Sequence, residues 1–334
     1  MFKKIIVILL LGALIVAGAG CARDRGTPSP SISPQTTPDA APENSPSPSM
    51  AQRELTEEPQ LKVYVVASGQ VEDMAMEEYL EGVLAGEMHN DWPLEALKAQ
   101  AIIARTFAVK FLEDKGEGGS KYEGADISTD VEEAQAYDAE GVNESIIQAI
   151  EETRGMVITH ENEPIYAWFH SHAGGKTALA VEGLEYEGGE QPYIKVVESD
   201  ESQDAPEETR EWTATFTGQE ITGAAAALGI EITDPSSIKI GATGESGRVT
   251  TFECAGVSIP AASFRVKLGA EKMRSTLIDQ VSAEGGNVTF SGKGFGHGVG
   301  MSQWGAYEMA NSGKTAEEII QHYYSDVKIE NFWR

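Results

Sequence analysis

Residues Leu94 to Leu112 constrain the fold more than any other stretch, because they form a helical run that is apolar nearly all round. Leu94, Leu97, Ala101, Ile102, Ile103, Phe107, Val109 and Phe111 leave it no wide polar face. A helix of that kind is stable only when other elements cover every side. The run therefore predicts a central helix with the rest of the chain wrapped around it. Asp91 is placed to cap its start, with Pro93 in its first turn. Arg105 breaks the pattern, since it lies on the stripe of Leu94, Leu97, Ala101, Ala108 and Leu112. A buried guanidinium needs an anionic partner. The candidates are Glu87, another side chain, or a substrate carboxylate.

A second helix is predicted just before it, from about Met76 to Glu87. At about 100° per residue, Met76, Leu80 and Val83 fall on one face, and Glu87 falls on the same face. Glu77, Glu78 and Glu81 point elsewhere, toward solvent. A carboxyl on an apolar stripe loses hydration, and the helix C-terminus adds partial negative charge; both raise its pKa. A carboxylic acid kept protonated near neutral pH suits general acid catalysis. The competing reading is a helix-terminal glutamate that reaches out to water.

The remaining pattern is α+β: a mixed sheet with packed helices and an inserted smaller α+β subdomain. Leu61 to Val66, Met156 to Thr159 and Ile165 to His170 read as strands, and Gly141 to Glu152 as a helix. A polar turn spans Ser171 to Thr177. Residues from about 212 to 288 alternate a helix with short strands and Gly-rich turns, which marks them as the added subdomain. Thr315 and Glu318 form a capping box for a last helix reaching about Tyr324. Cys254 sits in a strand-like run and reads as a small buried hydrophobe.

The N-terminus sets the compartment. Lys3 and Lys4 precede an apolar run from Ile5 to Ala17, and Gly18-Ala19-Gly20-Cys21 follows. This is the layout of an export signal, short for a spanning helix. Cys21 after small residues is similar to a bacterial lipobox, with Gly18 where Leu is usual. Residues 1–21 are thus a signal, lipobox or membrane anchor, and all three readings place the rest outside the cytoplasmic membrane. Residues 22–60, rich in Pro, Ser and Thr, read as a disordered tether. The folded domain is expected over 61–334. With 53 acidic against 25 basic residues, a net charge of −28, the chain has the wrong sign for nucleic acid or anionic lipid.

Glycine recurs at every second position from Gly292 to Gly300, ahead of Met301-Ser302-Gln303-Trp304-Gly305. In an extended segment one face would then lack side chains, with Phe295 and His297 on the other. Either the segment lines a substrate surface or it makes a tight crossing built for packing. It lacks the spacing of a phosphate loop. His170, His172 and His297 are the histidines to weigh as metal ligands, but there is no CxxC and no HExxH. No metal and no cofactor is expected.

In order along the chain stand Glu78-Tyr79-Leu80-Glu81-Gly82-Val83-Leu84-Ala85-Gly86-Glu87-Met88, Trp92-Pro93-Leu94-Glu95-Ala96-Leu97, Ala104-Arg105-Thr106, Gln135-Ala136-Tyr137, Phe169-His170-Ser171, Pro192-Tyr193-Ile194-Lys195, Gly244-Glu245-Ser246-Gly247-Arg248, the block from Gly294 to Ala306, and His322-Tyr323-Tyr324. With these the chain resembles the stage II sporulation protein D family, which includes amidase-enhancer proteins. The resemblance covers nearly all of Leu61 to Arg334. It implies a lytic transglycosylase that cleaves peptidoglycan glycan strands lacking stem peptides and leaves anhydro-muramic ends. It assigns catalysis to Glu87 and function to Arg105 and Lys195; His170, Ser171, His297 and Gln303 are further candidate substrate contacts. Arg105 or Lys195 would then read the lactyl carboxylate bared by peptide removal. The resemblance also implies a cell-wall amidase as partner. The alternative function is a non-catalytic wall-binding activator of that amidase. One departure is visible: the turn after Phe169-His170-Ser171 usually carries two further hydroxyl residues, and here it carries His172 and Ala173.

Overall fold

The central helix is α2, and its neighbours follow from the order of the chain. The computed structural model describes residues 57–334; the leader with Cys21 and nearly all of the 22–60 tether lie outside them. β1 (Gln60–Val65) and β2 (Gln70–Ala75) form an antiparallel hairpin that leads directly into α1 (Met76–Glu87). α2 (Leu94–Lys115) comes next, and β3 (Ile127–Ser128) then pairs parallel with β1. α3 (Glu144–Glu152) is capped by Asn143, whose Oδ1 accepts the Ile146 N–H at 3.0 Å. β4 (Met156–His160) and β5 (Glu163–Pro164) make a tight hairpin, and β6 (Phe169–His170) follows.

The expected strand over 165–170 shrinks to β6. The Trp168 N–H turns back onto the Tyr166 carbonyl at 2.9 Å, and the rings of Tyr166 and Trp168 stack at 5.3 Å. The start of α2 also differs from expectation. The N–H groups of Ala96 and Leu97 bond to the Pro93 carbonyl, so Pro93 itself is the cap position and no side chain caps the helix. Its end lies at Gly116 with φ 75°, about a turn beyond Leu112.

A second unit begins after two short helices, α4 (Ala180–Leu184) and α5 (Glu207–Arg210). It comprises β7 (Glu211–Thr217), α6 (Gly218–Ala226), β8 (Lys239–Ile240), β9 (Thr251–Cys254), β10 (Val257–Pro260), α7 (Ala261–Leu268), β11 (Ile278–Glu284) and β12 (Asn287–Lys293). β7 alternates buried and exposed residues along its whole length. That period of two puts Trp212, Ala214 and Phe216 inward and leaves Thr213 and Thr215 to pair with Ser291 and Thr289 across the strand. This unit has its own core, running from Trp212 to Phe290 and including Cys254.

The chain then returns to the first core through β13 (Met301–Ser302), α8 (Gln303–Asn311), α9 (Ala316–Tyr323) and β14 (Lys328–Asn331). β13 pairs parallel with β6, and β14 pairs antiparallel with β4. The fold is α+β, but its strands form several sheets of two or three strands rather than one mixed sheet. The first core gathers around α2, which α1, α3, α8, α9 and β4 enclose. Every residue from Ala99 to Thr106 is buried. No helix among the described residues is long and apolar enough to cross a membrane.

Candidate active site

Two enclosed carboxylates lie on α1, and they have different surroundings. Glu87 ends the helix on the face of Met76, Leu80 and Val83, all fully buried, and is itself 6% exposed. Burial pushes its carboxyl up to about 8; the Ala136 N–H and the Gln303 side chain oppose that rise. The Ala136 N–H reaches Oε1 at 2.7 Å. Glycine makes this approach possible. A Cβ at Gly86 would stand 2.6 Å from the Tyr137 nitrogen and 2.7 Å from the Ala136 carbonyl carbon. Gly82, one turn earlier, similarly leaves room for the Tyr137 ring. The segment Ala136–Tyr137 therefore lies in a groove along α1.

Gln303, the first residue of α8, is 2% exposed, and its Nε2 donates to the Glu87 carbonyl at 3.1 Å. It satisfies one of the acceptors that a helix C-terminus leaves unpaired. Beside this acid stands an aromatic cluster from the same two helix ends. The ring of Trp92 lies 4.5 Å from that of Trp304 and 5.0 Å from that of Tyr307, and His89 stands 5.5 Å from Trp92. His89 is exposed, Trp92 and Tyr307 are half-buried, and Trp304 is buried.

Glu77 was expected in solvent, yet it is 4% exposed. Its carboxylate accepts from Arg105 Nη2 at 2.5 Å and Nε at 3.1 Å, from the Gly155 N–H at 3.0 Å and from Trp333 Nε1 at 2.8 Å. Arg105 has no exposed surface, and its remaining donors reach Thr153 and the Met156 carbonyl. The partner left open for Arg105 is thus Glu77, and a guanidinium so enclosed has no face to offer a sugar. It occupies the place of a structural ion pair. The physical reason is a hydrophobic stripe wide enough to enclose a neighbouring helix face as well as its own centre.

The other expected contacts also take defined places. His170 is 2% exposed, with Nδ1 bonded to the Val299 carbonyl at 3.2 Å; burial holds its pKa well below the usual histidine value. His297 is 5% exposed, and its Nδ1 accepts the Val299 N–H at 3.0 Å; burial, with Arg265 and Arg248 nearby, pushes it down to about 3. Both rings are neutral at pH 7. Ser171 is buried, and its carbonyl accepts the Trp304 N–H at 3.0 Å. Lys195 is half-buried and donates to the Gln321 carbonyl at 3.1 Å.

The glycine block is not an extended strand. Gly294, Gly296, Gly298 and Gly300 all have positive φ, from 72° to 113°. Each rests against a neighbouring segment: Gly294 on the His172 carbonyl, Gly296 on the His170 side chain, Gly298 on the Arg248 guanidinium and Gly300 on the Trp168 carbonyl. Of the two readings of this block, the structure shows the tight crossing, with Phe295 and His297 enclosed. What sequence reasoning missed is Glu77 as a buried anion and the aromatic cluster. The second had a signal, since Trp92 and Trp304 flank the helix starts that carry the strongest motifs.

Fold and site together define an α+β protein built around an enclosed, neutral carboxylic acid with a partly exposed aromatic cluster beside it. Comparison with known sequences agrees with a particular class. The family described as "Stage II sporulation protein" matches residues 66–160. Stage II sporulation protein D of Bacillus amyloliquefaciens is 33% identical over 293 residues, covering 84% of this chain and 81% of that protein. The protein of the same name from Bacillus subtilis strain 168 is 32% identical, covering 80% and 78%. A protein of Bacillus subtilis strain 168 named "Amidase enhancer" is 25% identical, covering 76% of this chain and 40% of its own length. The chain belongs to the stage II sporulation protein D family.

Proposed function

We propose that this protein is a lytic transglycosylase acting on peptidoglycan glycan strands that have lost their stem peptides. The observation that carries this reading is Glu87, a carboxylic acid protonated near neutral pH at the edge of an aromatic cluster. Ordinary glycosidases need two carboxyls flanking the bond. A lytic transglycosylase needs one, because the substrate supplies its own nucleophile. Glu87 gives its proton to the glycosidic oxygen as the bond to the anomeric carbon breaks. The 6-hydroxyl of the muramic sugar then attacks that carbon and returns its proton to Glu87, so no water is consumed. Half-buried Trp92 and Tyr307 offer apolar ring faces to the C–H faces of sugars. Of the two cations expected to meet the lactyl carboxylate, Lys195 retains solvent access and Arg105 does not.

The setting we propose is the outer face of the cytoplasmic membrane, with residues 1–21 as anchor, lipidated at Cys21, and 22–60 as tether. Incubation of the purified protein with stripped glycan strands, followed by mass spectrometry, tests the reaction. Anhydro-muramic ends support it, and Glu87→Gln should produce none. The similarity to the "Amidase enhancer" supports a second reading, a wall-binding activator of a cell-wall amidase. That reading predicts no product from glycan alone and faster amidase turnover when both proteins are present.

A further inference from the structure

Glu201 is a further enclosed acid, off α1, with a side chain 7% exposed, and the cleavage chemistry leaves it unused. Its two oxygens are taken by two different segments. Oε1 accepts the Ala173 N–H at 3.0 Å, in the turn after β6. Oε2 accepts the Ser302 hydroxyl at 2.9 Å, and Ser302 is the cap residue of α8, its own Oγ accepting the Gly305 N–H. His172 Nε2 lies 3.7 Å from Oε2, beyond hydrogen-bond reach. That imidazole is neutral: burial, then Arg210 and Arg248, push it down to about 4, and its Nδ1 accepts the Gly174 N–H. The Ser199 side chain, Ser302, the Ala173 N–H and, from the second unit, Arg248 favour its anion, while Tyr323 faces it from α9 with its hydroxyl bonded to Ser199. Burial outweighs these and carries Glu201 up to about 7.

The start of α8 is therefore held at one point by Glu201 and at another by the Trp304 N–H on the Ser171 carbonyl. Gly305 lets the helix close onto Tyr323 and Ser199, because a Cβ there would overlap both hydroxyls. The next residue after Ser302 is Gln303, which donates to the Glu87 carbonyl, and Trp304 then enters the aromatic cluster.

We propose that Glu201 is a positioning residue for the Glu87 site: by holding Ser302 it fixes where α8 begins, and so where Gln303 and Trp304 stand. This rests on the reading of that site as glycan-cleaving. Protonation turns one acceptor oxygen of Glu201 into a donor, so the contact to Ser302 or to Ala173 must be remade. As pH falls through Glu201's range the carboxyl stays enclosed, because burial favours its protonated form, but its hold on Ser302 is exchanged, and cleavage gains an acid limb distinct from the basic limb set by Glu87.

The test uses the full chain as wild type, Glu201→Gln and Ser302→Ala. Two quantities are followed across pH: kcat and KM on stripped glycan strands, and the indole N–H resonance of Trp304 in the free protein, assigned with Trp304→Phe. The wild-type resonance should titrate near the pKa of Glu201, and both variants should abolish that titration. Glu201→Gln should also lower kcat by about tenfold or more, with a smaller change in KM, and flatten the acid limb. An indole titration that persists unchanged in Glu201→Gln would overturn the proposal, as would an unaltered pH profile of kcat. If the wild type makes no anhydro product, the cleavage reading has failed, and the indole titration judges the positioning role alone. If Glu201→Gln fails to fold, Ser302→Ala decides, since it removes the same contact and keeps the carboxyl.

Discussion

Glu87 and Glu77 are ten residues apart on one helix, and their partners give them opposite roles. Glu77 receives four donors, among them a guanidinium, and serves as a fixed anion. Glu87 meets only the Ala136 N–H and the neutral Gln303 amide and no cation, so desolvation wins and the proton stays. The pH dependence of stability follows from that. The folded state holds a proton up to about 8 that the unfolded chain sheds near 4.3, so the stability this proton confers is greatest at low pH and is lost as pH rises through about 8. Glu87→Gln removes the penalty. Its Tm should exceed the wild-type value by about 3 °C or more at pH 9, and by less at pH 5. Equal Tm differences at both pH values would contradict the burial of a neutral acid. Glu77→Ala should behave in the opposite way. It strands Arg105 without an anion and should cost about 3–5 kcal/mol in urea titrations, as should Arg105→Ala from the other side.

At the level of elements, α1 works because small residues let another segment lie against it. Gly82 and Gly86 are spaced i, i+4 and so share a face, which admits Ala136–Tyr137 and delivers the N–H that meets Glu87. Gly86→Ala should displace that segment, lose roughly 1–3 kcal/mol by overpacking, and raise the Glu87 pKa as its donor withdraws. Denaturant titration and a titration of the Glu87 carboxyl by NMR would check both effects. The aromatic cluster joins the end of α1 to the start of α8. Trp92→Ala should weaken binding of N-acetylglucosamine oligomers by about tenfold, or ~1.4 kcal/mol, with the fold intact. Calorimetry that finds unchanged affinity would remove the cluster from the site.

For the molecule as a whole, the dominant global property is an excess of acid, with a net charge of −28. Self-repulsion of that size opposes compactness, and two enclosed carboxyls with raised pKa add to it as pH rises. The Tm should climb when NaCl is added and when pH is lowered from 9 toward 6, and thermal melts over that grid would show it. The two cores are tied by carboxylates as well as by chain. Glu182 accepts the Ser246 N–H and hydroxyl, and Glu185 accepts the Ala262 N–H at the start of α7.

The sequence by itself determined the central helix, the α1 stripe that carries Glu87, and the α+β class, because each rests on periodicity within one segment. The period of two in β7 and the capping box at Thr315 belong to the same kind of local signal. Only the tertiary structure decided that Arg105 belongs to Glu77, that the alternate glycines serve close packing, and that Glu201 reaches Ser302. Those facts depend on which segments far apart in sequence meet, and on whether a polar group there finds a partner before it finds water.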